Sequence, residues 1–146
     1  MAARIADILA DKGRDVVTIG ATASVAEVVA LLTRHGIGAV VVVDDADEPL
    51  GLVSERDVVH AFGRAGAEVL GTAVAEIMST DVPACTPKAR VDDVAALMTQ
   101  GRHRHVPVIV GGELLGIVSV GDVVRSRIDN LSQTAEQLRA YVAGGY

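Results

Sequence analysis

Apolar residues recur along the chain with two alternating periods, which predict alternating helices and strands. Val25, Val28, Val29 and Leu32 are spaced i, i+3, i+4, i+7, the pattern of one buried helix face. A run of apolar, mostly β-branched residues at 39–43 follows and predicts a buried strand. Shorter apolar runs before and after it complete the predicted order of strand, helix, strand, strand, helix.

The same order of elements returns about 65 residues later, so the chain is a tandem duplication. Helical spacing recurs at Val91, Val94, Ala95 and Met98, and the β-branched run recurs at 106–110. A Gly-Gly pair at 111–112 predicts a tight hairpin turn into the next strand. Short strands are also predicted before each first helix, at 16–19 and at 82–85.

The repeat predicts an α/β fold of the α+β kind, built from two β-α-β-β-α units. A small sheet with both helices on one face leaves its other face uncovered, so the two units should pack sheet to sheet about a pseudo-two-fold axis. The units are predicted at 5–64 and 74–130, followed by a C-terminal helical tail at 131–146. Apolar residues near one face of that tail are Leu131, Ala135, Leu138 and Val142.

Composition narrows the function classes. The net charge is −6 and the chain has only three aromatic residues, so it lacks the basic surface and stacking platforms of a nucleic-acid binder. Cys85 is the single cysteine, which excludes an internal disulfide and suits a reducing compartment. Asp7 and Asp11 interrupt the region where a signal peptide needs an apolar run, and no long apolar stretch follows. A cytoplasmic protein without membrane partners is predicted.

The most specific repeated motif is GLVSERD at 51–57, answered by GIVSVGD at 116–122. In the simplest interpretation Ser54 and Ser119 are helix N-caps, each contributing about 1 kcal/mol, with Asp57 and Asp122 favoured in the first turn by the helix dipole. In the alternative, the same helix N-termini bind a phosphate and each Asp accepts the hydroxyls of a ribose. The residues alone leave both interpretations open.

This element order, with the two motifs in register and Val106-Pro107-Val108 on a strand, resembles the cystathionine-β-synthase (CBS) domain. The resemblance runs from about Ile5 to Ile128 and is to the tandem pair often called a Bateman module. It implies that the Ser and Asp positions contact the phosphate and ribose of an adenine nucleotide, while the strand carrying Pro107 presents backbone groups to adenine. AMP, ADP, ATP or NAD(H) is the implied ligand, and the module is implied to be a homodimer that regulates a separate protein.

Two further segments are candidates for the same cleft. Pro107 removes a ladder donor, which is tolerated where a strand edge is free to face a ligand. Arg104 or His105, in the basic stretch 102–105, is a candidate counter-charge for phosphate, although a solvated strand entry explains the stretch equally well. Strand alternation would place Arg102 and Arg104 on one face. The predicted ligand-binding set is Thr18, Val40, Ser54, Arg56, Asp57, Arg104, His105, Val106, Pro107, Ser119 and Asp122.

Catalytic and metal residues are not predicted. No Ser-His-Asp or Cys-His arrangement stands out, so the chain is predicted not to be an enzyme. The sequence is also compatible with two alternative functions. One is a structural interaction module without a ligand, and the other is a metal-binding stress protein that uses Cys85 with scattered histidines such as His35, His103 and His105.

Overall fold

The computed structural model describes residues 3–144 and shows the mixed helix and strand architecture that the repeat predicts. Two short 3-10 helices follow α3: Gly66–Gly71 lies between the two repeats, and Val74–Glu76 begins the second repeat. The remaining elements are α1 (Ile5–Lys12), β1 (Thr18–Gly20), α2 (Val25–His35), β2 (Ala39–Val43), β3 (Pro49–Ser54), α3 (Glu55–Ala65), α4 (Val91–Gly101), β4 (His105–Val110), β5 (Glu113–Ser119) and α5 (Val120–Ala143).

The first repeat forms a three-stranded sheet in the order β1-β2-β3. β1 pairs with β2 in parallel, because α2 crosses over between them, and β2 pairs with β3 antiparallel. α2 begins with a capping box, in which the Ser24 hydroxyl accepts from the Glu27 amide at 3.2 Å and the Glu27 carboxylate accepts from the Ser24 amide at 2.9 Å.

The second repeat has a hairpin of β4 and β5 but only a trace of the predicted first strand. Gly111 and Gly112 both adopt positive φ, as a tight hairpin turn requires. The predicted strand at 82–85 is reduced to a single bridge between Cys85 and Val108. Proline at 83 and at 87 supplies no backbone donor, so a continuous ladder cannot form there.

The two sheets pack face to face, as predicted, and β2 is buried on both sides. Val40 and Val42 belong to the cluster that packs under the helices of the first repeat. Val41, in the alternate register, packs with Leu114 and Ile117 of β5 across the inter-repeat interface. Full burial of such side chains contributes about 1.5 to 3 kcal/mol each, so this strand anchors both halves.

The segment that precedes the first strand of each repeat, called here its lead-in segment, packs into the core of the other repeat. Ile5, Ile8 and Leu9 of α1 are buried in the core of the second repeat, and Val74 is buried in the core of the first. The Ile5 amide donates to the Ala89 carbonyl at 2.9 Å. This exchange brings the end of α1 next to α5, and it makes the two repeats one packed unit.

The C-terminal helix is longer than its repeat equivalent. The sequence predicts a second unit that ends at 130 and a helical tail at 131–146, but α5 runs without interruption from Val120 to Ala143. The last two predicted tail residues, 145 and 146, lie outside the described range.

Candidate functional site

A cleft of about 310 Å³ lies between the two repeats. The N-termini of α3 (54–57) and α5 (119–121) both line it, together with the segment 102–105 that leads into β4. Gly38 and Ser79 also line this cleft. We call this space the central cleft, and it brings both copies of the repeated motif to one place.

At the α3 end, Ser54 and Asp57 form a reciprocal cap. The Ser54 hydroxyl accepts from the Asp57 amide at 3.2 Å, and Asp57 Oδ2 accepts from the Ser54 amide at 2.9 Å. The other carboxylate oxygen, Oδ1, accepts a hydrogen bond of 3.3 Å from the Ser79 hydroxyl. Among residues 3–144 no Lys, Arg or His nitrogen lies within 4 Å of this half-buried carboxylate. Its outer oxygen therefore has only one long hydrogen bond to a neutral group.

At the α5 end Ser119 and Asp122 form the same cap, but the Asp122 carboxylate also forms a salt bridge with Lys12. Asp122 Oδ2 accepts from the Ser119 amide at 2.9 Å and from Lys12 Nζ at 2.7 Å. Lys12 Nζ also donates to the Ile117 carbonyl at 2.8 Å. Burial raises the pKa of Asp122, but the hydrogen bonds from Lys12 and Ser119 outweigh it and hold the pKa below its ordinary value. Asp122 lines a second groove between α1 and α5 instead of the central cleft.

His105 reaches the central cleft at the start of β4. Its ring packs over Gly38, where an added Cβ would lie 3.3 Å from two ring atoms, so glycine makes room for the imidazole. Burial, followed by the nearby Arg104, lowers the pKa of His105, which favours the neutral ring. The lowered pKa makes His105 the weaker of the two predicted counter-charges.

Three exposed arginines, Arg56, Arg102 and Arg104, line the central cleft. Within the described part of the chain none of them has a carboxylate oxygen within 4 Å. The strand alternation that was predicted for 102–105 does not apply, because β4 begins only at His105 and Arg102 has a left-handed backbone with φ of 56°. All four residues of the stretch consequently line the cleft.

Besides Asp122, four predicted ligand-binding residues do not line the central cleft. Thr18 is exposed and lines a different hollow, beside the hairpin turn at 111–112. Val40 and Val106 are fully buried in the cores of their repeats, and Pro107 is also buried.

The predicted free edge at Pro107 is wrong. The Cys85 amide donates to the Pro107 carbonyl at 2.9 Å, and the Cys85 carbonyl accepts from the Ile109 amide at 2.9 Å. These two hydrogen bonds occupy the Pro107 carbonyl and the Ile109 amide, so the segment at Cys85 covers this edge of β4. The edge beside Pro107 is therefore not free to face a ligand.

Ser79 and Arg102 are cleft residues that the sequence analysis missed. Ser79 belongs to the lead-in of the second repeat and reaches the first repeat only because the lead-ins are exchanged. Arg102 was assigned to a strand face by alternation, and its turn conformation carried no pattern that would have indicated otherwise.

Metal ligands do not gather in the described residues: no three His, Cys, Asp or Glu side chains are placed to hold one ion. Cys85 is buried in the second core, and burial raises its pKa to about 11. Between residues 3 and 144 there is also no helix long and apolar enough to cross a membrane.

Comparison with known proteins identifies the repeats. A family model described as the CBS domain matches residues 5–64 and again residues 74–129. The chain belongs to the CBS-domain family. The resemblance inferred from the two motifs is thereby confirmed, and the chain is a CBS-domain pair, a kind of regulatory module that often binds adenosine ligands.

Relatives of this CBS pair include proteins from plants and bacteria. The chain is 35% identical over 127 residues to the CBS domain-containing protein CBSX3, mitochondrial, of Arabidopsis thaliana, with 84% of this chain and 62% of that protein matched. The chain thus spans less than two thirds of that relative. The crystal structure of the CBS-domain protein ATU1752 from Agrobacterium tumefaciens superposes with a TM-score of 0.84 at 45% identity, covering 87% of this chain and 95% of that one.

A ligand complex is known for one structural neighbour. The CBS domain pair of protein MJ0100, in complex with 5'-methylthioadenosine and S-adenosyl-L-methionine, superposes with a TM-score of 0.77 at 25% identity. The superposition covers 86% of this chain and 95% of that one.

Proposed function

We propose that this CBS pair binds an adenine nucleotide, AMP, ADP, ATP or NAD(H), in the central cleft and thereby regulates a separate protein. The observation that carries the proposal is the convergence, in a single cleft, of two capped helix N-termini, the carboxylate of Asp57 and three arginines that form no salt bridge with any residue of 3–144. A cleft of about 310 Å³ is at the small end of the range for ligand sites.

The phosphates fit the positive end of the cleft. Helix N-termini at Ser54 and Ser119 offer partial positive charge and backbone amides to an anion. The arginines on the rim supply full charges in a planar form that matches phosphate oxygens. Because these arginines have no protein carboxylate within salt-bridge distance in the described range, a phosphate would not have to compete with an existing ion pair.

Asp57 is the proposed hydrogen-bond acceptor for the ribose hydroxyls. Its Oδ2 is used by the helix cap, while Oδ1 has only the 3.3 Å contact with Ser79 and can accept a ribose hydroxyl in its place. The equivalent carboxylate, Asp122, is held by Lys12 at 2.7 Å. The proposal therefore assigns one nucleotide to each chain, with Asp57 as the ribose acceptor.

The adenosine ligands of the MJ0100 CBS pair support the adenosine class but do not select the nucleotide. A role in signal transduction, a homodimeric state and a cytoplasmic location remain predictions that belong to the same proposal. The relative from Arabidopsis thaliana carries the word mitochondrial in its name, so location has to be measured for this protein.

Isothermal titration calorimetry against AMP, ADP, ATP, NAD and NADH tests the proposal. Asp57→Asn keeps an acceptor for the Ser54 amide but removes the charge, so we expect affinity to fall about ten- to hundredfold, the loss of a hydrogen bond to a charged group. Asp93→Asn, in the first turn of α4 and away from the cleft, is the matched control and should bind normally. Equal affinity in both variants would contradict the assignment of Asp57.

A second candidate function, a structural interaction module without a ligand, is favoured by a different observation. Both motifs form complete capping boxes, so helix capping alone accounts for the two serines and the two aspartates. If no adenine compound gives a binding isotherm with the intact chain, the motifs are caps and the pair is a structural interaction module.

A further inference from the structure

A second hollow lies beside the central cleft, between the end of α4 and the start of α5. We call it the α4–α5 hollow, and its volume is also about 310 Å³. Two of its apolar residues, Met98 and Val123, are buried in the core of the second repeat and therefore hold a fixed position. A concave, mostly apolar surface with a few polar groups is typical of a ligand pocket. The apolar residues of the hollow are Ala95, Met98, Val120, Val123 and Val124.

The central cleft and the α4–α5 hollow share one wall. Backbone hydrogen bonds fix this wall, because the Val120 amide donates to the Arg104 carbonyl at 2.9 Å and the His103 amide donates to the Met98 carbonyl at 3.1 Å. Its three arginines are the ones that form no salt bridge within residues 3–144. The residues that line both spaces are Arg56, Arg102, His103, Arg104 and Val120.

The position of the arginines determines where a ligand would leave the central cleft. Phosphates bound by arginines that line both spaces lie at the boundary between them. A nucleotide that ends in its phosphates leaves the α4–α5 hollow empty. A nucleotide whose outer phosphate is esterified continues into the hollow, so the two spaces together accommodate a longer ligand than the central cleft alone.

The far side of the α4–α5 hollow favours a neutral group over a further phosphate. Arg127, the arginine that lines only this hollow, already forms a salt bridge of 2.9 Å with Asp92. The Thr99 hydroxyl donates to the Ala95 carbonyl at 3.0 Å, which leaves the hydroxyl oxygen free to accept a hydrogen bond. An uncharged ring with a polar substituent matches these surroundings, because the remaining lining is aliphatic.

We propose that the α4–α5 hollow is a second compartment of the ligand site and binds a neutral, ring-bearing group joined to the outer phosphate of an adenosine diphosphate. This inference rests on the proposed function, which places the adenosine ribose at Asp57 and the phosphates at the arginines. It adds a site on α4 and α5 that the central cleft does not include. Dinucleotides that carry a nicotinamide ring have this chemistry.

Isothermal titration calorimetry with ADP-ribose and NADH tests the second compartment. The two compounds share the adenosine, the diphosphate charge and the second ribose, and NADH adds the dihydronicotinamide ring. We expect NADH to bind about tenfold more tightly, the effect of one buried ring contact. ADP, which ends at the boundary, serves as the reference for the central cleft alone.

Two variants that fill the hollow separate it from the central cleft. Thr99→Trp fills it from α4 and Val124→Trp fills it from α5, and both positions are exposed, so the fold should tolerate the larger ring. We expect each variant to lose about tenfold in affinity for NADH and to bind ADP as the wild type does. Gln100→Trp is the matched control, since Gln100 is an exposed residue of α4 that lines neither space.

The possible failures of the inference and of the proposed function are distinguishable. NADH binding no tighter than ADP-ribose, or NADH affinity unchanged in both filling variants, would overturn the second compartment and leave the nucleotide site at Asp57 in place. An equal loss of ADP and NADH affinity in the filling variants would also overturn it, because the effect would then come from the central cleft. If neither ADP nor NADH binds the wild-type protein, the proposed function fails and the inference fails with it.

Discussion

Replacing Lys12 with Met removes the cation that holds Asp122, and we expect it to lower the free energy of unfolding at neutral pH. The Lys12 side chain is 31% exposed and that of Asp122 is 13% exposed, so the pair is partly screened by solvent. Exposed ion pairs contribute about 0.2 to 1 kcal/mol and hydrogen bonds to charged groups about 1.5 to 3 kcal/mol. A loss of about 1 kcal/mol is expected, which lowers Tm by about 3 °C at this chain length.

The effect depends on pH in a defined direction. The pKa of Asp122 is lowered in the folded state, so the stabilisation is fully present above the unfolded pKa and is lost as pH falls through the folded pKa. Wild type and Lys12→Met should therefore differ at neutral pH and converge at acidic pH. Urea unfolding at both pH values measures this difference.

Lys88→Met is the matched control, because Lys88 is exposed and its side chain forms no salt bridge with any described residue. A double-mutant cycle with Asp122→Asn isolates the pairwise energy. If Lys12→Met is equally destabilising at neutral and acidic pH, the loss comes from packing of α1, and the electrostatic account of this contact is refuted.

Two further predictions concern the cores. Cys85 should resist alkylation in the folded protein and react only on unfolding, since it is buried and its pKa is raised to about 11; rapid labelling under native conditions, followed by mass spectrometry, would contradict this. Val40→Ala should cost about 2 to 3 kcal/mol, because it removes two buried methyl groups and leaves a cavity, whereas Val59→Ala, at a side chain that is 66% exposed, should change stability by less than about 0.5 kcal/mol. Comparable urea midpoints for the two variants would show that β2 is less well packed than described.

The apolar helix faces at 58–62 in α3 and at 123–124 in α5 contain both buried and exposed residues. Ala61 and Val123 are buried in the cores, while Val59, Phe62 and Val124 remain exposed. Sequence alone left the choice between core and interface open, because a helix period marks an apolar face without saying what covers it.

Local features were readable from the sequence. The repeat, the alternation of helices and strands, the helix N-caps at Ser54 and Ser119, and the hairpin at 111–112 all depend on residues close together in the chain. Periodicity and capping are short-range properties, so the sequence was sufficient for the fold class and for the family. It was least reliable at 82–85 and 102–105, where proline and a left-handed residue interrupt regular strand geometry.

Tertiary structure decided which of the two motif aspartates forms a salt bridge and which does not. Exchange of the lead-in segments places Ser79 beside Asp57 and Lys12 beside Asp122, which are separated in sequence by 22 and 110 residues. It also covers the edge of β4 at Pro107 with the segment at Cys85. The two motifs share their Gly, Val, Ser and Asp positions, and the different surroundings of the two aspartates come from packing between distant segments, which no local pattern encodes.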